Sequence, residues 1–452
     1  MAPTKKILLL GAGYVAGPCA EYLLRREENT LTVAARRLET ASALVPGHPR
    51  VHAVSLDVTN ADALAAAVAA HDLTISLIPY THHADVIRAA IATKKHVVTT
   101  SYISPAMAQL HADAIDAGIT VFNEIGVDPG VDHLYALKTI WDVHAKGGKI
   151  VEFASYCGGL PAPECSNNPI GYKFSWSSRG VLLALRNEAK YIANGKPTVI
   201  AGPQLLKSAK PIWTGYPAFA FEGYPNRDST PYDTRYGIPE AQMIIRGTLR
   251  YTGFPEFMQA MVDLGMLSTD ETAWLAKGGN LSWRAVLTRT LSLAETASDA
   301  EIEATVSTRT GHAVGSAALT RTLAGMRWLG LLSATTPAPL AGTLLDTLCA
   351  TLNDKCEYAE GERDMVFLQH RFEVETKDGA HKTITATMVE YGTATASAMA
   401  KTVGVPAAVT AQLILDGKIT QKGVIAPMDK ETVYPLMAEL EKEGIRMDEV
   451  EF

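Results

Sequence analysis

The amino-acid sequence predicts an α/β protein built on a doubly wound parallel sheet, and three features of its first third carry that reading. Short apolar runs alternate with helical stretches, a glycine-rich turn follows the first run, and successive runs are spaced as in strand–helix–strand units. Lys6 to Leu10 reads as a buried strand, and the turn after it leads into a helix through Ala20 to Arg25. Thr30 to Ala34 and Val51 to Leu56 supply the next two strands. Alanine-rich Ala61 to Ala70 reads as a helix, Leu73 to Ile78 as a strand and His83 to Ile91 as a helix. His96 to Thr99 and Thr120 to Asn123 complete the series.

After Gly130 the alternation stops. From Ile150 to about Arg250 the chain is rich in Gly, Pro, Tyr and Ser, which suits an α+β region whose loops carry binding groups. Phe257 to Leu348 turns leucine- and alanine-rich at helical spacing, so an inserted helical subdomain is expected there. Asp364 to Thr376 and His381 to Tyr391 alternate around Lys377-Asp378-Gly379, a hairpin with Val366, Leu368, Phe372 and Val374 on one face. Ser397 to Gly417 is an apolar helix that packs back on the first domain.

Composition narrows the function classes. At 452 residues the chain is too long for one core, so two or three domains are expected. The formal net charge of −7 offers no basic face for nucleic acid. Five cysteines, none in a CxxC pair, suit a reducing, cytoplasmic setting rather than a disulfide framework or a zinc site. No apolar run reaches the ~18 to 20 residues that cross a bilayer, so no membrane partner is expected. Lys5 and Lys6 before Ile7 to Ala16 could imitate a signal peptide, but the glycine spacing favours a nucleotide turn.

That turn reads Gly11-Ala12-Gly13-Tyr14-Val15-Ala16, a GxGxxG pattern with alanine in third place. Gly11 permits the sharp turn, Gly13 lets the backbone approach a pyrophosphate, and the following helix directs free N–H groups at it. Alone the motif is weak, since glycine turns join strands to helices in many folds. The end of the second strand adds specificity. Where an NAD enzyme holds the ribose with an acid, this chain has Ala35-Arg36-Arg37, which favours a 2′-phosphate and hence NADP(H) over two merely solvated arginines. Asp57 and Val58 fall at the adenine end. Ile78 is either a nucleotide contact or simple core, and Thr99-Thr100-Ser101 ends the next strand near the nicotinamide ribose. His82 and His83 have no second ligand cluster, so they read as exposed loop histidines and no metal is expected.

Several polar, glycine-rich segments are candidates for a second ligand: Thr99 to Tyr102, Asn123 to Asp132, Tyr156 to Pro163, Tyr172 to Arg179, Tyr224 to Tyr232 and Arg246 to Tyr251. Arg227 and Arg250 are candidates for carboxylates and Asp128 for an ammonium, while Tyr102 and Cys157 could transfer or orient protons. The plainer accounts are a salt bridge from Arg227 to Asp228, a structural cap for Arg250 and a buried small hydrophobe for Cys157.

The runs "VVTTSYISPAM", "NEIGVDPGVDHLYALKTI", "SYCGGLPAPE", "NPIGYKFSWSSRGVLLALRN", "YPNRDSTPY", "IRGTLRY" and "GERDMVFLQH" resemble the fungal saccharopine reductase family across nearly the whole chain. These are the NADP-dependent, L-glutamate-forming saccharopine dehydrogenases of the α-aminoadipate route to lysine. The resemblance implies condensation of L-glutamate with L-2-aminoadipate 6-semialdehyde and reduction of the imine to saccharopine. It implies Gly11, Ala12, Gly13, Tyr14 and Val15 at the pyrophosphate, and Arg36 and Arg37 at the 2′-phosphate beside Ala35, which has no polar side chain to add. Asp57 and Val58 would meet the adenine end, and Ile78, Thr100, Ser101, Val127, Asp128, Pro129 and Ser175 the nicotinamide half. Ser101, Tyr102, Asp128, Arg227, Thr248, Leu249 and Arg250 would hold saccharopine. The implied architecture is a Rossmann-type NADP-binding domain (1–130 and 394–452), an α+β substrate and dimerisation domain (131–256 and 349–393) and a helical subdomain (257–348), assembled as a homodimer. An imine-reducing polyamine enzyme of the homospermidine or carboxynorspermidine type is the other enzyme reading, though such a site needs acids where this chain has Arg227 and Arg250. A non-catalytic NADP(H) sensor would need none of the polar loops beyond Gly130.

Overall fold

Apolar runs without alternation, such as Ile7-Leu8-Leu9-Leu10, form strands buried on both faces, which a parallel sheet flanked by helices accommodates; these four side chains are 0% exposed. The computed structural model describes residues 3–276 and 279–452. Its chain runs through β1 (Lys5–Leu10), α1 (Ala16–Leu24), β2 (Asn29–Ala35), α2 (Leu38–Leu44), β3 (Val51–Ser55) and α3 (Ala61–Ala69). Next come β4 (Leu73–Ser76), α4 (His83–Thr93), β5 (His96–Thr99), α5 (Pro105–Ala108), α6 (His111–Asp116), β6 (Thr120–Phe122) and α7 (Val131–Ala145). The middle of the chain supplies β7 (Lys149–Pro161), α8 (Ser178–Ala184), β8 (Ala189–Ala193), β9 (Lys196–Ile200), β10 (Lys210–Ile212), β11 (Phe221–Pro225), α9 (Tyr232–Arg235) and β12 (Met243–Tyr251). Helices α10 (Phe254–Asp263), α11 (Trp283–Leu291), α12 (Asp299–Thr310), α13 (Ala317–Trp328) and α14 (Leu344–Lys355) follow. The chain then forms β13 (Asp364–Glu375), β14 (His381–Tyr391), α15 (Ala398–Leu415), β15 (Gly423–Ile425), α16 (Lys430–Lys442) and β16 (Asp448–Glu451).

Two compact units result. The first comprises Met1–Val151, Thr234–Glu240 and Leu368–Phe452, and the second Glu152–Asp233 and Ala241–Phe367. In the first unit the sheet order is β15-β6-β5-β4-β1-β2-β3, with every neighbouring pair parallel. Strand order reverses at β1, so the crevice beyond its carboxyl end, between β2 and β4, is where such sheets bind ligands. The doubly wound reading therefore holds, and β15 extends it with a strand from near the end of the chain. In the second unit β12 pairs parallel with β7 and antiparallel with β11, and β10 lies beyond β11. Helices α10 to α14 occupy the stretch that the sequence marks as helical.

Three features depart from the sequence reading. Helix α7 falls where the alternation was expected to end. It buries ten of its residues, among them Asp132, His133 and Thr139, so no polar face marks it as a helix. Strand β13 buries Met365 and Phe367 as well as Val366 and Leu368, so its first half is covered on both faces rather than one. Helix α15, with 18 residues, is long and apolar enough by composition to span a bilayer, contrary to the expectation that no run reaches that length. The helix is 83% buried within the protein. It packs lengthwise on α1, and Gln412 near its end meets Asn29 at 2.9 Å.

The packing of α15 on α1 depends on Gly404. A Cβ there would stand 2.3 Å from the Val15 carbonyl oxygen. Gly404→Ala should therefore cost about 1–3 kcal/mol through overpacking, seen as a lower unfolding midpoint in urea.

Candidate functional site

The glycine turn has the geometry its spacing implies. Gly11 has φ +102°, and a Cβ on it would lie 2.8 Å from the Leu77 carbonyl oxygen, so a side chain is excluded on two counts. A Cβ on Gly13 would meet nothing within 4 Å, which leaves that side of the backbone open to a ligand. Helix α1 begins without a side-chain cap on its first N–H groups and without an acid in its first turn, leaving its positive end unneutralised. Tyr14 is exposed beside it.

Arg36 and Arg37 follow β2, both exposed, with no carboxylate at ion-pair distance among the described residues. Arg37 lines an open hollow of about 460 Å³ with Ala12, Glu39, Thr40, Ala43 and Leu44. Asp57 spends one carboxylate oxygen on the Thr59 N–H (3.0 Å) and hydroxyl (2.7 Å), and these bonds, with a smaller contribution from Arg36, hold its pKa below the usual range. Val58 and Ile78 are half-buried against the apolar cluster of the sheet, so packing accounts for them at least in part.

At the ends of β4 and β5 the structure corrects one expectation. His83 is not an exposed loop histidine: it opens α4, is 1% exposed and bridges two strands. Its Nδ1 lies 2.9 Å from the Ser76 hydroxyl, and its Nε2 lies 2.9 Å from the Ser101 and 3.0 Å from the Thr99 hydroxyl. Burial, with the neighbouring His82, lowers its pKa to about 4, so the ring is neutral at pH 7 and fixes Ser101 as a hydrogen-bonding partner.

A second group centres on Asp128. The Tyr102 hydroxyl donates to Asp128 Oδ1 at 2.8 Å, which joins two of the expected substrate residues directly. Val127 and Pro129 flank Asp128 in a loop whose Asp128–Pro129 peptide is cis. The loop closes through Gly126 N–H to the Pro129 carbonyl (2.7 Å) and Gly130 N–H to Asp132 Oδ1 (2.6 Å). Gly130 has φ +146°, and a Cβ would stand 2.1 Å from the Gly126 carbonyl oxygen, so only glycine fits.

Beneath this loop lies a buried cluster that the sequence reading did not identify. Glu124, 1% exposed, accepts from His133 Nε2 at 3.0 Å and Arg235 Nη2 at 2.7 Å, and His133 Nδ1 meets the Tyr236 hydroxyl at 2.7 Å. Burial opposes the charge on Glu124, but His133 and then Arg235 outweigh it and lower its pKa to about 2. An ionised carboxylate requires Nε2 to donate. Glu124 and His133 do stand together in "NEIGVDPGVDH", the one sequence signal that could have found them; Arg235 and Tyr236 lie a hundred residues away without any.

In the second unit Arg250, on β12, is 6% exposed and stacks on the rings of Tyr172 (4.9 Å) and Phe254 (5.4 Å). Its Nη1 donates to its neighbour's carbonyl, that of Leu249, at 2.7 Å, while Nε has no acceptor. No carboxylate lies within ion-pair distance of it among the described residues. Thr248 pairs in register with the half-buried Cys157 of β7, and Leu249 is fully buried. The Ser175 hydroxyl is also buried without a partner. Arg227 is exposed, in a left-handed conformation (φ +58°) after β11. The Asp228 carboxylate next to it accepts from the Thr230 N–H at 2.9 Å and hydroxyl at 2.6 Å.

Comparison with known proteins finds relatives over nearly the whole chain. The model of the saccharopine dehydrogenase NADP binding domain matches residues 7–122, and that of the saccharopine dehydrogenase C-terminal domain residues 126–445. The chain is 54% identical over 445 residues to the saccharopine dehydrogenase [NADP(+), L-glutamate-forming] of Schizosaccharomyces pombe, covering 98% of both. It is 54% identical over 452 residues to the protein so named from Pyricularia oryzae, covering 99% of both. Among solved structures, the apo saccharopine dehydrogenase (L-Glu forming) from Saccharomyces cerevisiae superposes with a TM-score of 0.90 at 48% identity, over 99% of this chain and 100% of that one.

The His83 network carries a pH signature. Its pKa falls from 6.5 to about 4 on folding, so the unfolded chain binds the extra proton between those values. Its contribution to stability is complete above pH 6.5 and lost as pH drops toward about 4. Replacing it, as in His83→Gln, should flatten the fall in melting temperature across that window relative to the parent; equal slopes would show that the ring does not titrate as described.

Proposed function

The chain belongs to the saccharopine dehydrogenase family, and from that premise we propose that it condenses L-glutamate with L-2-aminoadipate 6-semialdehyde and reduces the imine to saccharopine. It is an NADP-dependent oxidoreductase. The residues present fit the cofactor. Gly11 makes the turn and Gly13 leaves the backbone open, the first turn of α1 carries no cap or acid, and Arg36 and Arg37 have no carboxylate partner to displace. When bound, NADPH supplies the hydride that an imine carbon accepts.

The chain's own residues have three tasks in this reading. Arg36 and Arg37 grip the 2′-phosphate, with Asp57 and Val58 at the adenine end and Ala12 in the pyrophosphate turn. Ile78, Thr100, Ser101, Val127, Pro129 and Ser175 serve the nicotinamide half. Asp128 stabilises the positive charge of the protonated imine, which must stay protonated to accept hydride, and the Tyr102 hydroxyl holds its carboxylate in place. Arg250 and Arg227 take substrate carboxylates, with Thr248, Leu249 and Ser101 alongside. Cys157 is kept as an orienting group beside Thr248, not as an obligatory acid.

The observation that carries the reading is Arg250. A guanidinium taken out of water costs several kcal/mol unless compensated, and here it meets two aromatic faces and one carbonyl, with no acceptor for Nε among the described residues. An anionic ligand would complete that set, whereas a polyamine would add a like charge. Assembly as a homodimer is proposed from the sequence resemblance alone. A cytoplasmic setting is supported by five cysteines, none in a disulfide among the described residues.

Purified protein with L-glutamate and L-2-aminoadipate 6-semialdehyde should consume NADPH, followed by absorbance; no consumption with both present would refute the assignment. In the same assay run from saccharopine, Arg250→Met should lower kcat/KM by roughly 10- to 100-fold and leave NADP binding unchanged. The double variant Arg36→Ala with Arg37→Ala should weaken NADPH far more than NADH in titrations. Equal losses would remove the 2′-phosphate role.

A further inference from the structure

Glu124 touches neither ligand in the reading above, yet it holds both sides of Tyr102. Its N–H donates to the Ser101 carbonyl at 3.1 Å, and its Oε1 accepts from the Ile103 N–H at 3.1 Å. The residue before Tyr102 and the residue after it are thus tied to one side chain and its own backbone. That backbone is left-handed (φ +55°), a conformation a glutamate keeps only where its surroundings enforce it. The enforcement is visible: Oε2 is occupied by His133 and Arg235, and His133 is in turn held by Tyr236.

We propose that Glu124 is a positioning residue for imine reduction, stapling the segment Ser101–Ile103 so that the Tyr102 phenol meets Asp128. The inference rests on the reading that Tyr102 and Asp128 serve the substrate. Asp128 lies in a loop already closed by the Gly126–Pro129 and Gly130–Asp132 hydrogen bonds, so its partner is the element that needs fixing. Ser101 is steadied a second time through its hydroxyl by His83. A carboxylate suits the staple because one oxygen can serve Ile103 while the other serves two donors. An amide has one oxygen and must abandon either Ile103 or the His133 and Arg235 pair.

The test is a double-mutant cycle of Glu124→Gln and Tyr102→Phe, read in steady-state kinetics from saccharopine after circular dichroism confirms folding. Glu124→Gln should lower kcat by roughly 10-fold or more with a smaller change in KM. In the Tyr102→Phe background the same substitution should cost less than about two-fold, because the group it positions is gone. An equal loss in both backgrounds, or an unchanged kcat, overturns the proposal while leaving Tyr102 in its role. A silent Tyr102→Phe beside an impaired Glu124→Gln removes the reading of Tyr102 and the proposal with it. If Glu124→Gln does not fold, Arg235→Gln takes its place under the same criteria, since Arg235 is part-exposed and supplies one of the two donors on Oε2.

Discussion

The cofactor end of the molecule depends on how closely two strand ends approach. Gly11 sits so near the Leu77 carbonyl that no side chain fits between β1 and the segment after β4. That closeness lets α1 start directly over the sheet edge with no side chain capping its first turn. Move the turn outward by the width of a methyl group and the helix end no longer faces the place where strand order reverses. Arg36 and Arg37 follow β2, the strand next to β1, and Arg37 shares a hollow with Ala12 of this turn.

Four charged residues show how differently the protein treats charge. Arg36 and Arg37 stay exposed, with no carboxylate at ion-pair distance among the described residues. Arg250 is withdrawn from water between two rings, an arrangement that favours a ligand able to supply the missing negative charge. Glu124 is equally withdrawn but fully satisfied, with donors on both oxygens. An unsatisfied buried charge points to binding, and a saturated one to holding shape.

Much of this was legible in the residues. Alternating strands and helices from Lys6 to Asn123, the glycine turn and the hairpin around Gly379 are written locally, in periods and turn residues a short window reveals. Helix α7 was not, because burial on nearly every side erases its polar face. Nor was the true setting of His83, whose partners Ser76, Thr99 and Ser101 come from two other strand ends. Asp128 was found within its polar run while Glu124, four residues before it, was passed over. A carboxylate whose partners Ile103, His133 and Arg235 come from different parts of the chain has a setting only the folded chain supplies. The length of α15 misled in the opposite direction: its apolar sequence reflects burial against α1, not contact with lipid.

Strand β15 has a further consequence for how this protein comes into being. Gly423 to Ile425 pair with Thr120 to Phe122 across three hundred residues of intervening chain. During synthesis β6 leaves the ribosome with one row of backbone amides and carbonyls unpaired, and that flank stays bare until Gly423 to Ile425 have emerged. The parallel sheet is thus sealed only after the whole of the second unit has been made.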